Sequence, residues 1–198
     1  MRIFLTVLLL LLFYFQPEPK ADDIREFEIE GMSVGDSLLD FFSKNEIEEE
    51  IKSAMFYPKS KKFMIISLVP KDVEQYENIN FHIKSNDKKY IIYSIKGLSY
   101  METAACLDLK KNVVKEIEAI IPNAQISKHT NDYNKTMGNS QAYINDYYLS
   151  EGVIRVFCTD WDKEFLEKEQ NLIYNNTLSI VASNNKIVDW IKNEAYPK

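Results

Sequence analysis

Apolar and polar positions alternate most regularly between residues 79 and 95. Ile79, Phe81 and Ile83 interleave with Asn80, His82 and Lys84, and Ile91, Tyr93 and Ile95 resume the pattern after Ser85-Asn86-Asp87-Lys88. Period two marks strands with one buried face, and the polar tetrad supplies a turn, so a β-hairpin is predicted. The period changes over residues 102–121. There Cys106, Leu109, Val113, Ile117 and Ile120 recur at spacings of three and four until Pro122, which predicts one long helix. A second helical pattern covers 36–52, with Asp36 or Ser37 as cap and Leu38, Leu39, Phe41, Phe42, Ile47 and Ile51 as its apolar face. Strands are predicted at 62–69, 124–129, 140–149, 153–160 and 176–183, with Ser150-Glu151-Gly152 as a hairpin loop and a short edge strand at 24–30. A last helix, 185–194, carries Ile187, Trp190 and Ile191 behind Asn184 or Asn185.

Strands grouped around single helices, without βαβ alternation, predict an α+β fold. An antiparallel meander sheet, or sheets, is packed by the long helix and by shorter N- and C-terminal helices. No repeat, low-complexity tract or Pro/Gly linker interrupts residues 22–198, which are read as a single domain.

Residues 1–21 have a different character. Met1-Arg2 precedes a block from Ile3 to Phe15 that is apolar except for Thr6, and Gln16 to Ala21 follows as a helix-breaking polar segment. That order reads as a secretory signal peptide cleaved after Ala21, and predicts an exported, periplasmic protein with no membrane span after cleavage. The alternative is an uncleaved N-terminal anchor and a membrane-tethered structural protein. The whole chain carries a net charge of −6; without Arg2, Glu18 and Lys20 it becomes −7. An acidic surface releases no counterions from nucleic acid, so neither nucleic acid nor an anionic membrane is expected as a partner.

Export changes the meaning of the two cysteines. Cys106 lies on the apolar stripe of the long helix, and Cys158 shares a strand face with Ile154 and Val156. Two core-facing thiols in an oxidising compartment are expected to form a disulfide that clamps helix to sheet. Two separate buried thiols are the alternative. No metal-ligand spacing accompanies them, and neither a metal nor a cofactor is expected.

Two hydrolase signatures overlap ahead of the 36–52 pattern: Gly31-Met32-Ser33-Val34-Gly35 matches G-x-S-x-G, and Gly35-Asp36-Ser37-Leu38 spells the GDSL block of the SGNH esterases. A serine nucleophile needs a histidine base held by a third group. The only histidines are His82 and His129, and Ile79 and Ile126 stand where the D-x-x-H pattern puts its aspartate. Capping by Ser33 or Asp36 explains the turn without chemistry. An esterase using Ser37 with His129 is therefore the rival reading.

Other residues are candidates for binding. Asp160-Trp161-Asp162 sets two carboxylates beside an aromatic, as a sugar or cation site does, but also as a capped strand end does. His82 falls on the polar face of its strand and is expected to be exposed and without function. Tyr143, Tyr147 and Tyr148 crowd one strand, with Tyr90, Tyr93 and Tyr100 near the other hairpin. Core packing accounts for them, whereas an exposed tyrosine-rich face would suit recognition of a protein or glycan.

The stretch from Ile29 to Ser43, Tyr93-Ser94-Ile95-Lys96-Gly97-Leu98, the Cys106 helix and Phe157-Cys158-Thr159-Asp160-Trp161 together resemble a family of uncharacterised small exported proteins from small-genome marine bacteria. The resemblance implies export and brings no activity with it. More loosely, the strand-turn-helix opening is similar to small periplasmic modules of the BamE and beta-lactamase-inhibitor kind, a likeness of fold that carries no residues across. The expected function is a non-catalytic binding or interaction module for an unknown protein or small ligand. Asp160, Trp161, Asp162, Tyr143 and Tyr147 are its candidate surface.

Overall fold

A computed structural model describes residues 23–71, 75–168 and 175–197. Its frame is an eight-stranded antiparallel sheet made of two four-stranded meanders. The first runs through β3 (Met55–Phe56), β4 (Phe63–Ser67), β5 (Asn78–Lys84) and β6 (Ser94–Tyr100). The second runs through β7 (Gln125–Asp132), β8 (Gln141–Tyr148), β9 (Gly152–Asp160) and β10 (Thr177–Asn184). Strands β6 and β10 pair antiparallel and join the two, giving the order β3-β4-β5-β6-β10-β9-β8-β7. A separate two-stranded ribbon, β1 (Glu28–Ile29) and β2 (Met32–Ser33), turns through Glu30 and Gly31, both at positive φ. The fold is α+β with a meander sheet, as the alternation predicts.

Register decides which side chains share a face. Phe81, Ile95, Ala182 and Ile154 line up across four strands, as do Ile79, Gly97, Ile180 and Val156. These form the inner face, and its apolar members are buried. Three elements cover it: the N-terminal segment with Ile24, Phe27, Met32 and Leu38, the short helix α1 (Lys44–Ile51) through Ile47, and the long helix α2 (Thr103–Ile120). Helix α2 links β6 at the centre of the sheet to β7 at its edge and packs mainly on β9. Helices α3 (Lys163–Lys168) and α4 (Asn185–Trp190) are one and a half turns each, and a π turn, Ile191–Ala195, extends α4.

The predicted helix at 36–52 is two pieces. Ser37 caps a 3-10 turn, Leu38–Asp40, and the chain then restarts as a helix at Lys44. The restart has a local cause. Ser43 Oγ accepts from the Glu46 amide while the Glu46 carboxylate accepts from the Ser43 amide, a reciprocal capping box that fixes a new helix start. Leu39 and Phe41 consequently face outward, and Leu38, Phe42 and Ile47 face the core.

The buried stripe of α2 also differs in detail. Cys106 and Ile117 are buried as predicted, but Leu109 and Ile120 are exposed, and Lys110 and Ile121 are buried instead. At about 100° per residue the sets 106, 110, 113, 117, 121 and 106, 109, 113, 117, 120 span the same arc of about 80°, so periodicity does not choose between them, and the sheet lies against the side that holds Lys110 and Ile121. Near the start of this helix, Cys106 is bonded to Cys158 with a Cα–Cα distance of 5.9 Å, the predicted helix-to-sheet clamp.

Candidate functional site

The Gly-Met-Ser-Val-Gly-Asp-Ser segment is a structural corner. Ser33, buried in β2, donates its hydroxyl to the Phe27 carbonyl at 3.2 Å, and Asp36 accepts from the Ser33 amide at 2.8 Å. Ser37 Oγ donates to the Lys89 carbonyl at 2.7 Å and accepts from the Leu39 amide at 3.1 Å. Among the described residues, neither serine has a histidine within hydrogen-bond reach. His129 sits in β7 opposite Ile144, and His82 is bonded to Tyr57.

The carboxylates at the end of β9 also have local partners. Asp160 accepts from the Thr103 hydroxyl at 2.7 Å, tying the start of α2 to the sheet. Asp162 accepts from the Asn139 amide at 3.0 Å and from the Phe165 amide at 3.1 Å, and these bonds hold its carboxyl below the ordinary aspartate range. Trp161 stacks on Tyr133 at 4.7 Å, with its indole nitrogen donating to the Asn175 carbonyl. Tyr147 is fully buried on the inner face, and Tyr143 packs against the same core. Tyr100 and Tyr148 are the exposed members of the tyrosine set, on strands β6 and β8.

The outer face of the sheet is different. Cross-strand register aligns one row as Ser67, Asn80, Lys96, Val181, Arg155 and Asp146, and the next as Ile65, His82, Ser94, Ser183, Val153 and Tyr148. The C-terminal segment covers one end of this face. Ile187, Trp190 and Ala195 bury Phe63, and Tyr57, Tyr93, Val188 and Ile191 pack around them. Beside this cover a pocket of about 310 Å³ opens, lined by His82, Ser94, Ser183, Arg155, Phe157 and Val181 from the sheet, with Val188 and Ile191 from the C-terminal segment. Ile191 opens the π turn, a distortion that occurs often at functional sites.

The polar groups around the pocket divide into those with partners and those without. Arg155 makes two bonds to Asp146, Nε to Oδ1 at 2.6 Å and Nη2 to Oδ2 at 2.9 Å, and the carboxylate is almost wholly buried. Ser94 and Ser183 hydrogen-bond each other at 2.7 Å. His82 Nε2 lies 2.8 Å from the Tyr57 hydroxyl, but its Nδ1 is buried without a partner. Asn78 Oδ1, on the same strand and face, is likewise unpartnered. Lys96 is partly buried, and its Nζ lies 5.3 Å from the centroid of the Phe157 ring. No carboxylate stands within ion-pair distance of it among the described residues.

Desolvation shapes the protonation of these groups. Burial, and then the charge of Lys96, push His82 down to about 4, so the imidazole is neutral at neutral pH. Burial also lowers Lys96 from the ordinary lysine range and pushes the Tyr57 phenol up to about 12. The polar alternation of β5 predicts an exposed His82. The C-terminal segment, about a hundred residues away in sequence, covers that end of the strand instead, and no local signal announces it.

A second cleft lies at the other side of the sheet, between α2 and β7–β8, with Lys110, Lys111, Lys128 and Asn145. Its exposed lysines are already matched, Lys111 with Asp108 at 2.8 Å and Lys128 with Glu118 at 3.2 Å. Lys110, buried in this cleft, has no ion-pair partner among the described residues either, so what sets the outer-face pocket apart is the unpartnered Nδ1 of His82. Comparison with family models, with curated proteins and with solved structures finds no match.

Proposed function

We propose that the chain is an exported, non-catalytic module that binds a small amphipathic ligand in the pocket between the outer sheet face and the C-terminal segment. One observation carries this reading. His82, whose buried Nδ1 has no partner among the described residues, lines a pocket whose remaining wall is largely apolar. Buried polar atoms in native proteins are nearly always satisfied, and a concave apolar site with a few converging polar groups is the usual form of a ligand site. Export is supported by the leader-like order of residues 1–21 and by the disulfide, which belongs to an oxidising compartment. The non-catalytic reading is supported by the hydroxyls of Ser33 and Ser37, both spent on backbone carbonyls.

Titration of the isotope-labelled, disulfide-intact protein with 1-hexanol, hexanoate and hexylamine tests the binding reading by amide chemical shifts. At least one of the three is expected to move resonances of β5, β6, β9, β10 and Val188–Ile191 together, and Val181→Trp, which fills the pocket, is expected to abolish the movement. Shifts elsewhere, or none with any of the three, overturn it. Ester hydrolysis that disappears in Ser37→Ala would overturn the non-catalytic part.

A further inference from the structure

We infer that the ligand of this pocket is a small organic monoanion with an apolar body, and that Lys96 is the residue that pairs with its charge. The inference rests on the binding reading above and adds the sign and size of what is bound.

The sign follows from the charges on the outer face. Asp146 is the carboxylate of the central row, and Arg155 takes it up with two bonds. That pair is neutral as a unit. Asp189 and Glu194 of the C-terminal segment line a neighbouring cleft with Lys62, Lys84 and Lys186, and Glu194 pairs with Lys62 at 3.4 Å. Lys96, whose Nζ lies 5.3 Å from the centroid of the Phe157 ring that lines the pocket, is thereby left as a partly buried cation without a counter-ion among the described residues, in a chain whose net charge is −6. Burying an unpaired charge is costly, and a bound anion removes that cost.

His82 points the same way. A phenol is a stronger acid than a neutral imidazole, so the Tyr57 hydroxyl donates to Nε2, and we assign the ring proton to Nδ1. The buried Nδ1 is then an unsatisfied N–H donor. A neutral donor and an ammonium on adjacent strands suit a carboxylate or another oxyanion, and offer nothing to a cation. Beyond them the wall is Val153, Phe157, Val181, Val188 and Ile191, which fits an aliphatic or aromatic body. A volume of about 310 Å³ admits on the order of ten non-hydrogen atoms, taking about 30 Å³ for each water-sized group.

The same three-ligand titration decides the matter through its relative affinities. Hexanoate is expected to bind at least about tenfold more tightly than hexanol, as a charge-assisted hydrogen bond allows, with hexylamine weakest. Lys96→Met is expected to bring hexanoate down to the level of hexanol while leaving hexanol unchanged, and Lys96→Arg to restore most of the difference. Preservation of the hexanol site in Lys96→Met serves as the check on folding. Hexanoate binding no tighter than hexanol in the unsubstituted protein overturns the inference while leaving the binding reading standing. A hexanoate preference that survives Lys96→Met, or one that maps to the Lys110–Lys128 cleft, overturns it as well. Absence of any pocket shift with all three ligands sinks both.

Discussion

Cys106 and Cys158 stand with their Cα atoms 5.9 Å apart, and the bond between them fastens the first turn of the long helix to the interior of the sheet. That helix end lacks a side-chain cap of its own, since Glu102 makes none. Its other tie is the Thr103 hydroxyl on Asp160, backed by Asn176 donating to Thr103 at 3.0 Å. The disulfide closes a loop with a sequence separation of 52, for which loop-closure entropy gives about 4 kcal/mol. Urea unfolding with and without reductant is expected to show a loss of that order. Cys106→Ala/Cys158→Ala should match the reduced protein. Two alkylatable thiols in the native protein would refute the clamp.

His82 makes stability depend on pH. Its pKa is lowered from 6.5 to about 4 by burial and then by Lys96. Between those values the unfolded chain binds a proton that the native state refuses. The stability owed to this group is therefore complete above pH 6.5 and drains away as the pH falls towards 4, by up to about 3 kcal/mol. Urea midpoints taken from pH 7 down to 4 should fall more steeply for the unsubstituted protein than for His82→Gln. Parallel curves for the two would show that the imidazole is not held neutral.

Arg155 and Asp146 are bonded twice but buried unequally. The aspartate side chain is 1% exposed and the arginine 45%. Removing the arginine leaves a buried carboxylate with only the long 3.5 Å bond from the Tyr148 hydroxyl, whereas removing the charge of the aspartate leaves a guanidinium that reaches water. Arg155→Met is expected to cost about 3 kcal/mol and Asp146→Asn about 1 kcal/mol, read by chemical denaturation. Equal costs would mean that the buried carboxylate is satisfied by something other than Arg155.

What local pattern encodes, the sequence displays openly. The period-two runs through Ile79, Phe81 and Ile83 and through Ile154, Val156 and Cys158 identify strands and their inner face, because one buried face is a property of each strand alone. The cysteine pair is legible for the same reason, since each thiol declares its face. Helix α3 escapes notice because it is short and its single buried apolar residue, Phe165, makes no stripe. The break at residues 41–43 hides in a run that is apolar enough for a helix, and only the Ser43–Glu46 box reveals a second start. The outer-face pocket is the least legible of all. It needs the β6–β10 pairing to bring Lys96 beside Val181 and Arg155, and the C-terminal segment to bury His82, and neither event leaves a mark near those residues. The conspicuous Gly-Asp-Ser block, by contrast, is a corner whose hydroxyls serve the backbone.

Gly152 tests how closely the N-terminal segment is seated on the sheet. Sequence places it in a hairpin loop, where a glycine serves the turn. In the structure it is the first residue of β9, paired with Asn184, and its φ is not positive. A Cβ added there would lie 2.3 Å from the Ser183 carbonyl oxygen, and 2.9 Å and 3.0 Å from two atoms of the Ile24 side chain. Backbone oxygen cannot swing aside as a flexible side chain can, so the strand or the Ile24 segment must move. Overpacking of this kind costs about 1–3 kcal/mol, and here the upper end is expected. Gly31 supplies the contrast, because a Cβ there meets nothing within 4 Å and only its φ of +72° opposes alanine. Alanine in the left-handed region costs about 1 kcal/mol. Thermal or urea unfolding should therefore rank Gly152→Ala as the more damaging change. The opposite order would mean that the glycine at 152 is kept for its backbone freedom and not for the space that Ile24 and Ser183 leave it.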